Sequence, residues 1–358
     1  MRISTNQFHA NSFSSINKHQ NDILETQEKL STGKKINKAS DDPIGAAQVH
    51  AINKTMNTIV QYEKNGQFAK SQLALEEVKI DSAVNITQRA REITIQMMNE
   101  TYTVENRQAA SLEIKHLIDH LASLMNSTNS QGELLFAGGN VNETKAFVSD
   151  AANSAGLQAG NEYFAYIGSA NAGADYDKRA NFGARFVQVA FDPDNKLSSN
   201  DESDPSRVRV SDQGGRVFGI DGATSLPAGV DASLINVLVE LKDNLDQGLQ
   251  PPAEIGEDLL SSIKSMSTEL AEIGGRINKV ESLYEAGKVF TIALKERLSN
   301  IEDQDLVEGI TNLTRSQNAL QMAQQVFTKV QSMSLFDYLG NKLENLLERP
   351  LHKSNHDS

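Results

Sequence analysis

The chain contains no cysteine and no tryptophan. The first absence excludes disulfides, thiolate metal sites and cysteine nucleophiles together. Aromatic residues make up 6% and hydrophobic residues 39% of the chain. That is thin for the core of a compact enzyme of 358 residues and ordinary for helical rods, whose cores are narrow stripes. Basic residues are too few: 34 Lys and Arg against 47 Asp and Glu give a net charge of -13. Neutralising phosphates needs a basic face, so a nucleic-acid binder is not expected. No apolar run approaches the ~18 residues of a membrane span. The opening segment, Met1 to Gln20, is polar and lacks the apolar core of a cleavable signal peptide. Lack of cysteine fits a cytosolic protein and, equally, one exported unfolded without a cleaved signal. Proline is scarce, and five of the seven prolines lie between Pro193 and Pro252. Both flanks of that region are free to form long helices.

The strongest pattern is near the end. Leu259, Ile263, Met266, Leu270, Ile273, Ile277, Val280 and Tyr284 alternate at spacings of four and three. Gly287 and Thr291 are weak positions in the same register, and Leu294, Leu298 and Ile301 resume it. A repeat sustained this long predicts one helix that packs in coiled-coil fashion against other long helices. At ~1.5 Å per residue it is a rod of roughly 60 Å. Its expected partners are the proline-free stretch from Ile44 to Tyr102 and the helix from Val104 to Asn126. The first carries Ile52, Met56, Ile59, Leu73, Val84 and Ile93; the second carries Ile114, Leu117, Leu121 and Leu124. A further helix over Asp231–Leu249 places Leu234, Leu238, Leu241 and Leu245 on one face, and Gly248 with Pro251-Pro252 stops it.

Two thinner stripes occupy the ends. Ile16, Ile23 and Leu30 sit seven apart, as do Leu306, Leu313, Leu320 and Phe327, with Ile310, Ala323 and Val330 widening the second. One apolar residue per heptad buries little, so each helix is marginal alone and folds only against a partner. The run LSTGKKINKASDDPIGAA from Leu30 to Ala47 is a joint: Gly33 ends one helix, Ser40 or Asp41 caps the next, and Pro43 lies in its first turn.

The middle has another character. Thirteen of the 23 glycines lie between Gly132 and Gly229. Short β-type runs at Glu133–Ala137, Tyr163–Ile167, Ala184–Phe191, Val208–Val210 and Arg216–Ile220 predict small hairpins. The fold class is mainly α with an inserted β-rich domain, the long coiled-coil-like rod being formed by the N- and C-terminal segments. The expected parts are terminal assembly helices at 1–40 and 305–339, disordered before assembly; a helical rod with a β-hairpin at 41–138 and 229–304; a β-rich outer domain at 139–228; and a charged, frayed tail at 340–358.

Chemistry is sparse. Asp192-Pro193-Asp194-Asn195 and Asp201-Glu202-Ser203-Asp204 fail the calcium-loop spacing, because Lys196 takes a ligand position and the required glycine is missing. His116 and His120 share a helix face, without the glutamate of a zinc-protease pattern. Asp41 and Asp42 read as caps, not as a carboxylate pair for catalysis. Gly214-Gly215 and Gly274-Gly275 lie outside any phosphate-loop frame; the second pair marks close helix contact or a bend.

The ends carry a resemblance. Met1-Arg2-Ile3-Ser4-Thr5, the joint run with Asp41-Asp42-Pro43 and Gly45-Ala46-Ala47, Leu134-Leu135-Phe136-Ala137-Gly138, Leu298 to Asp303, and Leu335-Phe336-Asp337-Tyr338-Leu339 resemble the bacterial flagellin superfamily. Within it they are similar to the hook–filament junction proteins, since filament subunits usually lack the proline and end in a different apolar motif. The resemblance spans roughly 1–140 and 231–339. It implies a non-enzymatic structural subunit, exported unfolded through the flagellar type III apparatus and located outside the cell at the hook–filament junction. It implies flagellin, a hook-side hook-associated junction protein, other copies in a ring, and an export chaperone on the C-terminal region as partners. No cofactor, nucleic acid or membrane span is expected. The expected assembly interface is Ile16, Ile23, Leu30, Leu306, Leu313, Leu320, Phe327, Leu335 and Phe336, with Gly33, Asp41, Asp42 and Pro43 as the joint. A filament-forming flagellin and a cytosolic coiled-coil scaffold are the alternatives.

Overall fold

The computed structural model describes residues 2–139, 143–167, 184–192 and 204–347, without the side chains of 2–6, 8 and 332–347. It divides into one unit of residues 1–55 and 292–358 and another of 56–291. Helix α1 runs Arg2–Thr32, α2 Pro43–Met97 and α3 Val104–Met125. A hairpin of β1 (Phe147–Asp150) and β2 (Tyr163–Tyr166) follows, then one of β3 (Phe186–Gln188) and β4 (Arg207–Arg209). Both pairs are antiparallel, with Val148 opposite Ala165 and Val187 opposite Val208. The chain then forms a single helical turn, α4 (Gly214–Val217), and the helices α5 (Leu234–Asp246), α6 (Ala253–Glu302) and α7 (Leu306–Leu347).

The long stripe is one uninterrupted helix, α6. Its heptad positions from Leu259 to Ile301 are all buried or half-buried. In the unit of 56–291, α6 runs antiparallel to α2. Val280 lies against Gly66, Gly287 against Ile59, and Lys70 pairs with Glu281 at 2.7 Å. Helix α5 is buried on nearly every side: Leu234, Ile235, Val237, Leu238, Leu241 and Leu245 are inaccessible. One apolar cluster joins it to α3, to the β1–β2 hairpin through Phe147 and Tyr163, and to α6 through Leu259 and Met266. Asn236 ties the hairpin down, accepting from the Phe164 amide at 2.7 Å and donating to the Phe164 carbonyl at 2.7 Å. Asp258 holds the 224–225 loop by accepting from the amides of Thr224 and Ser225 and the Ser225 hydroxyl.

Three local expectations are corrected. Leu134 to Ala137 is not a continuous strand: it is buried throughout and makes only two isolated antiparallel bridges, Leu134 with Thr128 and Ala137 with Gln213. Its backbone is satisfied piecemeal, with the Leu135 amide donating to Ser127 and the Phe136 carbonyl accepting from Gly214. Arg216–Ile220 is not a strand either, because the chain turns into α4 at Gly214. A Cβ there would lie 2.5 Å from the Phe147 ring, so only glycine admits this approach. Third, of the two readings of Gly274-Gly275, close helix contact is not met among the described residues, since a Cβ on either would meet nothing within 4 Å. Strand β1 carries no signal that the sequence reading picked up. Helix α7 continues past Gly340 to Leu347, so part of the expected frayed tail is helical; residues 348–358 lie outside the described residues.

Candidate assembly site

The chain ends meet as two helices. The half-buried positions of α1 include His9, Ser12, Ile16, His19, Ile23, Thr26 and Leu30, a full heptad register. On α7 the inward positions are Gly309, Leu313, Ser316, Leu320, Ala323, Phe327 and Val330. Two contacts fix the pairing. The His9 ring meets Phe327 edge-on at 5.7 Å. At the other end Gly309 lies under Leu30, where a Cβ would be 2.8 Å from Leu30 Cδ2. The pair is therefore antiparallel, and the register sets Ile16 level with Leu320 and Ile23 level with Leu313.

Six of the expected interface residues thus share one seam: Ile16, Ile23, Leu30, Leu313, Leu320 and Phe327. Leu306 does not. It is 55% exposed. Near the end of α1 it is Gly309, not Leu306, that lies against Leu30. Ile310 is also out of the seam, at 57% exposed. The side chains of Leu335 and Phe336 lie outside the described residues. The seam residues that hydropathy missed are His9, Ser12, His19, Thr26, Gly309 and Ser316. Their heptad spacing was a signal that polarity and small size concealed.

No large apolar side chain of α1 or α7 is fully buried among the described residues. Phe13, Leu24, Val307, Met322 and Val326, with Leu306 and Ile310, are each more than half exposed. A shallow groove along α7 is lined by Ile310, Thr311, Thr314, Arg315, Asn318, Ala319 and Met322. The helix pair has an incomplete interior and an exterior that is polar but carries the seven exposed apolar side chains.

The joint is tied by hydrogen bonds and a buried side chain. Gly33 ends α1 at a φ of 71°, the left-handed conformation glycine adopts without strain. Asp41 Oδ2 then accepts from the amides of Asn37 at 3.0 Å and Lys38 at 2.9 Å. The Lys38 and Asn37 amides hold the Asp41 carboxyl below its ordinary range. The helix cap is Asp42, not Ser40 or Asp41: its Oδ1 accepts from Ile44 at 3.1 Å and Gly45 at 3.0 Å, with Pro43 at the first helical position. Three capping-type residues stand in a row, and the neighbour of the proline is the one in position to cap. Ile36 is buried beside Gly45, where a Cβ would be 2.6 Å from Ile36 Cδ1.

The loop between α6 and α7 packs on this joint. Lys34 Nζ meets Glu302 Oε1 at 2.5 Å. The Lys35 amide donates to the Glu302 carbonyl at 2.8 Å, and the Gln304 amide to the Gly33 carbonyl at 2.9 Å. Lys38 Nζ reaches Glu28 at 3.0 Å, which raises its pKa above the ordinary lysine range. Asp305 caps α7, accepting from Val307 at 2.8 Å and Glu308 at 3.2 Å. Both chain ends are thus held together at the base of the pair.

The candidate chemistry stays bland. Asp42 caps α2, and Asp41 holds the turn before it. His116 and His120 are exposed on α3. Among the described residues no three metal-competent side chains converge. The calcium-like runs fall largely on residues outside the described ones.

Comparison with known proteins agrees with this geometry. Residues 3–141 match the family model of the bacterial flagellin N-terminal helical region, and residues 259–339 that of the C-terminal helical region. The flagellar hook-associated protein 3 of Salmonella typhimurium is 26% identical over 94% of this chain and 99% of its own. The flagellar filament 41 kDa core protein of Borreliella burgdorferi is 24% identical over 85% of this chain and 90% of its own. The fold is shared with a putative flagellar hook-associated protein of Vibrio parahaemolyticus at a TM-score of 0.55 and 18% identity, over 74% of this chain and all of that one.

Proposed function

We propose, from the premise that this chain belongs to the bacterial flagellin family, that it is a structural subunit joining the flagellar hook side to the filament. The observation that carries the reading is the terminal helix pair: its large apolar side chains are at best half-buried, and seven of them are more than half exposed. Such a pair is completed by neighbours. Its work is to bury surface between subunits, and the relatives are structural flagellar proteins.

In this reading the chain leaves the cell unfolded by flagellar type III export, with a chaperone on its C-terminal region beforehand. Helices α1 and α7 are disordered in the exported monomer. They order as copies assemble in a ring between a hook-side junction protein and flagellin. Ordering backbone costs about 1–2 kcal/mol per residue, and a half-buried seam returns only part of the ~1.5–3 kcal/mol of a fully buried side chain. Contacts to neighbours supply the rest. Strong amide-exchange protection of residues 16–30 in dilute monomer would contradict this step.

Deleting the gene tests the function. Hooks without filaments, with unpolymerised flagellin in the medium, are expected. Normal filaments would overturn the junction reading and favour a redundant filament subunit. Purified chain that polymerises into long filaments would point the same way, toward relatives such as the Borreliella protein.

A further inference from the structure

The unit of residues 56–291 contains a buried ionic cluster that the assembly reading does not use. Asp212 is 1% exposed and takes both terminal nitrogens of Arg276, at 2.7 and 3.2 Å. Arg209 Nε lies 2.8 Å from Asp212, and Arg209 Nη2 lies 3.0 Å from Glu269 and 3.1 Å from Glu272. Arg216 reaches Glu269 at 3.2 Å and Glu272 at 2.6 Å. Arg276 also approaches Glu269 at 3.3 Å. Helix α2 contributes Glu76, 1% exposed, which abuts Asp212 and has its Oε2 buried without a hydrogen-bond partner.

The charges do not balance. Three buried carboxyls, Glu76, Asp212 and Glu269, face two largely buried guanidiniums, Arg209 and Arg276, while Glu272 and Arg216 pair with each other at 2.6 Å with more than 40% of each side chain exposed. An uncompensated buried charge is costly, so the group takes up a proton instead. Glu269, Glu272 and Asp212 each touch at least two arginines. Among the described residues Glu76 has no such ion pair; the Asp212 carboxyl is its hydrogen-bonding neighbour, and Arg276 acts on it from beyond ion-pair distance. Two carboxyl groups in contact need one proton between them.

We propose that Glu76 and Asp212 share one proton near neutral pH, and that this proton fastens the segment after β4 onto α2 and α6. Glu76 comes from α2, Arg209 and Asp212 from β4 and the chain after it, Arg216 from α4, and Glu269, Glu272 and Arg276 from α6. Deprotonation sends the proton to solvent and leaves two carboxylates side by side in a dry site. Burial, then the charge and hydrogen bond of Asp212, hold the Glu76 carboxyl well above its ordinary value of 4.5, with Arg276 opposing. A carboxyl raised in the folded state adds stability below its unfolded value. That contribution is lost as pH rises through the folded value.

The test uses the full chain and Glu76→Gln, which keeps the shape and removes the titration. The ratio of unfolding constants, wild type over E76Q, is expected to climb with pH by up to about tenfold per unit, then level where the folded carboxyl ionises. A ratio independent of pH overturns the proposal. The second measurement is the infrared spectrum of the wild type. A carboxylic-acid C=O band is expected at neutral pH and absent in E76Q. On raising the pH it is lost, and amide exchange over residues 207–213 quickens. If E76Q does not fold, the wild-type spectrum decides alone: no carboxylic-acid band at neutral pH overturns the proposal.

Discussion

Gly45 is the third residue of α2, and replacing it by alanine sets two effects against each other. Helix propensity alone favours alanine by about 0.8–1 kcal/mol. The site opposes it. A Cβ would lie 2.4 Å from Asp42 Oδ2, 2.9 Å from Asp42 Cγ and 2.6 Å from Ile36 Cδ1. Asp42 must swing away, which forfeits the cap on Ile44 and Gly45, a loss of about 1 kcal/mol. Ile36 is buried and must shift, an overpacking cost of about 1–3 kcal/mol. The net expectation for G45A is a loss of roughly 1–3 kcal/mol at the joint. Gly275→Ala is the control. Nothing stands within 4 Å of its Cβ, so propensity acts unopposed and a gain of about 0.5–1 kcal/mol is expected. Urea titration of the helical signal measures both variants, and amide exchange over residues 36–46 locates the loss. If G45A is as stable as the wild type, or exchange at the joint is unchanged, the argument from cap and contact fails. If G275A is destabilising, the helix uses that glycine in a way the packing does not reveal.

Two further outcomes are expected. Leu320→Asp removes on the order of 1–2 kcal/mol of half-burial and sets a charge in the seam; incorporation at the hook tip should be lost while the helicity of residues 56–291 is kept, and normal incorporation would sink the seam assignment. Asp41 is held below its ordinary value of 3.8 by two amides, so its contribution to the joint is present above that value and lost as pH falls through the lower, folded one; Asp41→Asn should abolish that acid-side loss in exchange measurements over residues 36–46, and an unchanged profile would count against it.

Helix α6 was legible to its last turn, because one repeat runs unbroken from Leu259 to Ile301 and packing obeys it throughout. Helix α5 was legible for the same reason. The terminal seam was legible by half. Ile16, Ile23 and Leu30 announced one heptad position, but Ser12, His19 and Thr26 hold the other without any apolar mark. Local competition blurred the joint: Ser40, Asp41 and Asp42 all suit a cap, and only the fixed chain path to Pro43 selects among them. The middle region was least legible. Leu134–Ala137 is apolar because it is buried on all sides, which a strand pattern mimics. Arg216–Ile220 is β-like in composition, yet the approach of Gly214 to Phe147 turns it helical. The meeting of Glu76 with Asp212 joins residues far apart in the sequence, and no local pattern encodes it.

The polar half of the seam carries the functional argument. A two-helix pair with leucine at both heptad positions would order by itself. Here Leu30 packs on a glycine, His9 on a phenylalanine edge, and Ser12, His19, Thr26 and Ser316 fill positions that bury little. The same helices carry Phe13, Leu24, Val307, Met322 and Val326 outward, where a lone chain gains nothing from them. Part of the pair's apolar surface thus lies outside the seam. That arrangement lowers the stability of the isolated pair and raises what each added neighbour contributes. The proposed ordering on assembly calls for this distribution. The joint, fixed by Asp42, Ile36 and the Lys34–Glu302 pair, gives both helices a common base on which to order.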